Sequence, residues 1–325
     1  MIRFYCFFLS ILLSVIAQKS FSQAVPAQDE HIPYLVTFGP DAGTHWGDDD
    51  YSQAFFFLIP ESHTQPVYIR VYDPDTGGAI DELNGYWNSK TNFSVYGGRG
   101  CHSHPDARDV DPTGNYRSGN MLASRTFGNE PEWDRKWYTF GPFNPTEGEF
   151  EEQFGGYVFK IIAEGIEGGD GNLYRYFLST SPDQNIPIEG ANAFAYEYTF
   201  RLWDDPKQVS HIYPFIDEHT ITIEIGNFDW DNDGIIRLVS VARQGQQLKV
   251  SGDDEWQYDR FAILPEEHNT SLDIQFHKQA FPVVRNNNVV VNIRNQRGEG
   301  VPFYTIPIGG VPQYQYSIGV RPRSN

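Results

Sequence analysis

The chain has 325 residues, with 24 lysines and arginines against 43 aspartates and glutamates, a formal charge of −19, and two cysteines. That excess of negative charge repels phosphate backbones and anionic headgroups, which argues against nucleic acid and acidic membrane surfaces as partners. Aromatic residues make up 15% of the chain, too many for an acidic disordered segment, so the means to build a packed core are present.

Taken in chain order, the first feature is Arg3, then the apolar run 4–16, then Ala17 and the small residues Ser20, Ser22 and Ala24. That is the order of a secretory signal peptide, expected over residues 1–22 with cleavage after Ser22 or Ala24. The expectation is an exported protein, periplasmic or extracellular. Cys6 lies early in the apolar run, not at its end, so lipid anchoring through it is not expected. Its removal leaves Cys101 alone, and one thiol makes no internal disulfide. No later run approaches the roughly 20 apolar residues of a spanning helix, so no transmembrane segment is expected in the mature chain.

Helical periodicity is nearly absent beyond the leader. Short alternating or β-branched and aromatic runs take its place, at 34–38, 54–59, 67–72, 92–96, 137–140, 157–163, 173–178 and 193–202. More follow at 220–225, 235–242, 247–250, 260–264, 272–277, 289–293 and 302–306. Gly, Pro, Asn and Asp separate them, which is the pattern of antiparallel sandwiches. The expected fold is all-β: two antiparallel, jelly-roll-like β-sandwich domains, at 30–204 and 209–320. The linker is Asp204-Asp205-Pro206-Lys207, and a long irregular loop covers 97–119. Gly168-Gly169-Asp170-Gly171-Asn172 is expected to close a hairpin, because Gly and Asn supply positive φ.

Within the first half, Ala54-Phe55-Phe56-Phe57-Leu58-Ile59-Pro60 precedes Val67-Tyr68-Ile69-Arg70-Val71-Tyr72-Asp73-Pro74-Asp75, and Gly169-Asp170-Gly171-Asn172-Leu173-Tyr174-Arg175 comes later. These three stretches resemble the bacterial pre-peptidase C-terminal type of jelly roll, over about a third of the first domain. Residues 97–150 have no counterpart there. The resemblance implies an accessory domain with a binding or stabilising role.

The best local motif is Asp229-Trp230-Asp231-Asn232-Asp233-Gly234. Carboxylates at i, i+2 and i+4 before a glycine can wrap oxygens around Ca²⁺. Position twelve of an EF-hand loop would be Glu and is Ser240, so the loop would be a β-type site on Asp229, Asp231 and Asp233 completed by distant ligands. The competing reading is an acidic hairpin turn. Asp73-Pro74-Asp75-Thr76-Gly77-Gly78 and Asp48-Asp49-Asp50 are expected as solvated turns. Cys101-His102-Ser103-His104 offers zinc-type ligands, but neighbours in an extended segment point apart, so a polar loop is expected.

There is no Gly-x-Ser-x-Gly elbow and no His-Glu-x-x-His helix. Glu130, Glu132 and Asp134, beside Trp133 and Trp137, would be the acids of a glycan hydrolase, though catalysis is not the expectation. Tyr86, Trp87, Trp133 and Trp137 are the candidates for stacking on sugar rings, with a polysaccharide as partner. The run 289–293 is a candidate edge strand for an envelope protein partner. The functional expectation is a non-catalytic exported protein with a binding or structural role, with Ca²⁺ as its candidate cofactor. A carbohydrate-binding module is the alternative.

Overall fold

The computed structural model describes residues 23–108, 116–285 and 287–316; the expected signal peptide lies outside the described residues. Helix occurs among them only as 3₁₀ turns of three or four residues. Everything else of regular structure is strand, and every strand pairing is antiparallel. No described helix is long and apolar enough to cross a membrane.

Sixteen strands carry the architecture. In the first half they are β1 (Tyr34–Phe38), β2 (Ser52–Pro60), β3 (Val67–Tyr72), β4 (Lys90–Gly97), β5 (Asn120–Phe127), β6 (Trp137–Phe143), β7 (Gly156–Glu167) and β8 (Gly171–Ser179). In the second half they are β9 (Glu197–Arg201), β10 (Val209–Ile212), β11 (Thr222–Phe228), β12 (Gly234–Val239), β13 (Gln244–Leu248), β14 (Trp256–Ala262), β15 (Asp273–Lys278) and β16 (Asn288–Asn295). Period-two alternation explains them. In β3, Val67, Ile69 and Val71 are fully buried in the main core, while Tyr72 is half-exposed on the opposite face.

The longest sheet has the order β14-β11-β16-β9-β1-β8-β3-β6, with Ala24–Val25 as a ninth strand on β8. A seven-stranded sheet holds β2-β7-β4-β5 with three short additions, and a four-stranded sheet holds β10-β15-β12-β13. The numbering exposes a duplication. The half-sheet β6-β3-β8-β1 matches β14-β11-β16-β9, and β5-β4-β7-β2 matches β13-β12-β15-β10, each strand with the one eight positions later. Eight strands in that order on two sheets are a jelly roll. The protein is two jelly rolls joined edge to edge where Leu35 of β1 pairs with Phe200 of β9.

Both smaller sheets cover the same face of the long one. Tyr198 packs on Phe55 of the seven-stranded sheet, with centroids 5.0 Å apart, and Phe200 packs on Phe276 of the four-stranded sheet at 5.4 Å. These residues lie two apart on β9, so their side chains share a face. One continuous apolar core runs through both rolls. The other face of the long sheet points outward.

Several expectations change. The junction at 204–210 falls between β9 and β10, inside the second roll, which starts with Glu197. The run 289–293 lies in β16, paired on both sides by β11 and β9, so it is no edge. The turn at 168–172 joins β7 to β8, which belong to different sheets. It crosses the sandwich instead of closing a hairpin. Its Asp170 carboxylate accepts the amides of Asn84, Asn88 and Ser89 at 2.8, 2.8 and 3.1 Å. The turn at 229–234 likewise crosses from β11 to β12.

Candidate functional site

Each roll has an Asp-rich crossing turn at one end of the long sheet. In the second, Trp230 is fully buried, with its ring 5.5 Å from that of Phe276. That anchor forces the flanking aspartates to the other side. Asp229, Asp231 and Asn232 all adopt left-handed backbone, with φ of 57°, 58° and 53°, conformations that Asp and Asn tolerate better than most residues. Ser251 pins the turn from the next loop: its Oγ accepts from the Trp230 amide at 2.8 Å and its carbonyl from the Asn232 amide at 2.9 Å.

Carboxylate oxygens of Asp229, Asp231 and Asp253 lie within 4.8 Å of one another, the spread of oxygens around one Ca²⁺. Asp253 comes from the loop before β14. Asp233, the expected third ligand, is not in this cluster and pairs instead with the buried Lys278 Nζ at 3.3 Å. Burial, reinforced by the charges of Asp231, Asp253 and Asp254, pushes the Asp229 carboxyl up to about 7. Asp231 is also raised, by burial and then by Asp253. Asp229, Asp231 and Asn287 line a pocket of about 170 Å³, and the Asn287 Oδ1 is buried without a hydrogen-bond partner.

The same strands carry an aromatic platform on the outward face. Trp256 and Tyr258 alternate on β14, so both rings lie on that face, nearly parallel at 13° with centroids 5.5 Å apart. Gly226 of β11, the cross-strand partner of Tyr258, is their floor. A Cβ there would stand 2.8 Å from the Tyr258 ring and 3.1 Å from the Trp256 ring. Glycine leaves the space that both rings occupy. Tyr258 is 40% exposed.

The row continues across the sheet. Gly226 pairs with Asn292, Asn292 pairs with Glu197, and the Asn292 amide donates to Glu197 Oε2 at 3.0 Å. Burial holds the Glu197 carboxyl well above its ordinary value, and the charge of Asp49 adds to this. Oxygens of Asp48, Asp49 and Asp50 lie within 4.8 Å of one another. Asp48 is buried rather than solvated and accepts from the Phe38 amide at 2.7 Å and the Tyr51 amide at 2.9 Å. Burial pushes it up to about 7. Arg294 is the cation whose charge reaches both Tyr258 and Glu197. The face thus runs from the aromatic pair to a guanidinium, with the Asn292 amide and the Glu197 and Asp49 carboxyls buried beside it.

The expected sugar-stacking residues do not come together. Trp133 packs edge-on against Phe127 and Tyr138 at the margin of the core, at 6.2 and 5.3 Å, beneath Arg125. Trp137 sits on the outward face against Tyr72 at 5.3 Å, with the Arg70 guanidinium 5.2 Å over its ring. Tyr86 is 72% exposed on a loop and Trp87 is half-buried. Of the three proposed acids, Glu130 pairs with Arg125 at 3.0 Å, Glu132 is exposed, and Asp134 faces the turn at 73–78. In the 97–119 loop, His102 bridges Glu151 at 2.7 Å and the Tyr196 hydroxyl at 2.9 Å, while Cys101 Sγ faces the Tyr96 carbonyl at 3.4 Å. Cysteine and histidine diverge there, as alternation requires. Burial pushes the Cys101 thiol up to about 12.

No protein-family model and no curated protein matches the sequence. Among solved structures, the chain is similar to the N-terminal CBM22-1–CBM22-2 tandem domain of Xyn10C from Paenibacillus barcinonensis. The likeness has 10% identity and a TM-score of 0.15, covering 77% of this chain and 78% of that one. A TM-score that low bears on neither fold nor function, so both rest on the topology and residues described above.

Proposed function

We propose that this is an exported, non-catalytic glycan-binding protein whose second jelly roll stacks a sugar ring on Tyr258 and Trp256. The partly exposed Arg294 beside the platform meets its hydroxyls. Ca²⁺ on Asp229, Asp231 and Asp253 stiffens the turn from which β11 and β14 present the platform. One observation carries the reading: two near-parallel rings over a glycine floor, with Tyr258 open to solvent and Arg294 near enough for its charge to act on it. Flat aromatic surface beside a few polar groups is what a pyranose, apolar on its ring faces and polar at its rim, selects.

The test is affinity electrophoresis through gels containing soluble polysaccharides, with pull-down on insoluble ones. Retardation by at least one polymer is expected, with Tyr258→Ala weakening it about tenfold, the scale of one lost stacking partner. No retention across a broad panel would sink the reading, as would wild-type retention by both Tyr258→Ala and Trp256→Ala. A second reading draws on the Glu197 carboxyl beside Asp49: two neighbouring carboxyl groups are the parts of a glycosidase. New reducing ends in the same incubations, abolished by Glu197→Gln, would favour it.

A further inference from the structure

We propose that Asp73, Asp75 and Asp134 form a second divalent-cation site, in the first jelly roll, for an oxygen-seeking ion of the Ca²⁺ class. Asp73 and Asp75 stand in the crossing turn after β3, and Asp134 in the loop before β6. Asp75 is 1% exposed, and neither of its carboxylate oxygens has a hydrogen-bond partner. Asp73 is fully buried with Oδ2 unpartnered, and Asp134 Oδ1 is buried and unpartnered as well. The Oδ1 of Asn172, also fully buried, is a fourth such oxygen; its Nδ2 is taken by the Pro74 carbonyl at 2.8 Å.

A buried carboxylate without donors costs several kcal/mol unless it takes up a proton or a cation. The side chains around this one offer little relief. Asp75 feels the charges of Asp134 and Glu130, and Asp73 those of Asp75 and Asp134. The Glu130 amide favours the charged Asp75 without reaching hydrogen-bond geometry. Arg135 stands 3.8 Å from Asp134 through a side chain 60% exposed, and its charge is the least of the influences on Asp73. With burial as the leading cause, the Asp73 and Asp75 carboxyls are pushed up to about 7 and about 6. Five buried oxygens without donors, on Asp73, Asp75, Asp134 and Asn172, are what a cation would satisfy.

The backbone is already shaped as in the second roll. Asp73 has φ of 56° and Asp229 of 57°; Asp73 Oδ1 accepts from the Arg135 amide at 2.7 Å, and Asp229 Oδ1 from the Asp254 amide at 2.6 Å. Each donor follows the third acid directly. The carboxylates of the first turn are more spread than those of Asp229, Asp231 and Asp253, so an ion must draw Asp134 inward. Gly78 leaves it room, since a Cβ there would stand 2.4 Å from Asp134 Oδ1.

The experiment is calorimetric titration of CaCl₂ into the leader-free exported chain after chelator dialysis. Two equivalents are expected. Asp75→Asn with Asp134→Asn should remove one, and Asp229→Asn with Asp231→Asn the other, so each site is read by its own variant. One equivalent in the wild type that survives the first pair would overturn the proposal, as would two equivalents in that pair. So would no binding at all together with a higher Tm for Asp75→Asn, the mark of a cluster of protonated acids. If the double variant fails to fold, Asp134→Asn alone serves, since that side chain is 25% exposed. It should weaken one equivalent at least tenfold, and unchanged affinity would count against the site.

Discussion

The two Asp-rich turns solve one problem with different residues. Both leave the long sheet after a strand ending in an aromatic, Tyr72 or Phe228, and both cross the sandwich through a left-handed Asp. Both meet an Asp-x-x-Trp segment, Asp134 to Trp137 or Asp253 to Trp256. Ring contacts repeat too: Tyr72 to Trp137 and Phe228 to Trp256, each at 5.3 Å. Between the first two aspartates the rolls diverge. The first places Pro74 there, the second a fully buried Trp230. Proline fixes its own φ without needing a pocket, whereas tryptophan holds its turn by filling the core. The first turn is therefore covered, with Asp73, Asp75 and Thr76 all buried. The second opens onto a pocket, with Asp231 half-buried and Asp253 exposed. The same backbone thus supplies a closed cluster in one roll and an accessible one in the other.

The largest expected effect breaks this symmetry. Trp230→Ala removes a buried ring and should cost about 3–5 kcal/mol in chemical denaturation. Pro74→Ala should cost about 1 kcal/mol or less, mainly by loosening the unfolded chain. Equal losses would mean that the Trp230 anchor is not what holds the second turn.

The next effect is on pH dependence. Raised carboxyl groups hold protons in the folded state that the unfolded chain releases from about pH 4 upward. In chelator, Asp229 and Asp73, each pushed up to about 7, and Asp75, up to about 6, give stability that is greatest below pH 4. That stability is lost as pH rises through 7. Glu30, pushed up to about 8 by burial and placed in neither turn, adds a slope of the same sign. Ca²⁺ competes with protons, so the gap between Tm with Ca²⁺ and Tm with chelator should widen from pH 5 to 8. At a hundredfold excess over Kd, one site contributes about 2.7 kcal/mol, on the order of 5 °C. A gap that stays constant or closes with pH would contradict carboxylate ligation in both turns.

How much of this was legible follows from what is local. β1 and β3 have the bounds expected of them, because alternation of large apolar residues marks a strand by itself. Asp229 and Asp231 were legible for the same reason, as near neighbours in a turn. Asp253 was not, since it arrives from a loop over twenty residues later, and Asp233 was misplaced because consecutive left-handed residues reverse the chain between it and Asp231. A crossing turn uses the same Gly, Asp and Asn as a hairpin, so in sequence the 168–172 and 229–234 turns are indistinguishable from hairpins. The buried acids at 48 and 73–75 were expected in solvent because their covers are distant loops. Trp256 and Tyr258 carry only half a signal, since a Trp-x-Tyr alternation places two rings on one face of any strand. The missing half of that signal was Gly226, which matters only once β11 lies beside β14. The duplication was hidden because Val-Tyr-Ile-Arg-Val-Tyr and Thr-Ile-Glu-Ile-Gly-Asn-Phe share little beyond their alternation.

A smaller effect separates ligand from bystander in the second turn. Asp253→Asn should weaken Ca²⁺ binding at that turn about tenfold, roughly 1.4 kcal/mol. Asp233→Asn should leave affinity unchanged and lower stability instead, because it strands the buried Lys278 ammonium, 2% exposed at its side chain. Titration calorimetry beside thermal melts tells the two apart. Loss of affinity in Asp233→Asn with Asp253→Asn intact would restore the i, i+2, i+4 ligand set.

The smallest effect compares the asparagines that tie each turn to its neighbouring strand. Asn172 Nδ2 donates to the Pro74 carbonyl at 2.8 Å, and Asn287 Nδ2 to the Trp230 carbonyl at 3.4 Å. These are equivalent bonds on equivalent carbonyls, and only the first is short. In chelator, Asn172→Ala should cost about 1–2 kcal/mol, the price of leaving a buried carbonyl without its donor. Asn287→Ala should cost less than about 1 kcal/mol, because the Trp230 ring already holds that turn in place. Equal costs would show the two turns resting on their asparagines alike, and the distinction between a proline-shaped and a tryptophan-anchored turn would then have no energetic content.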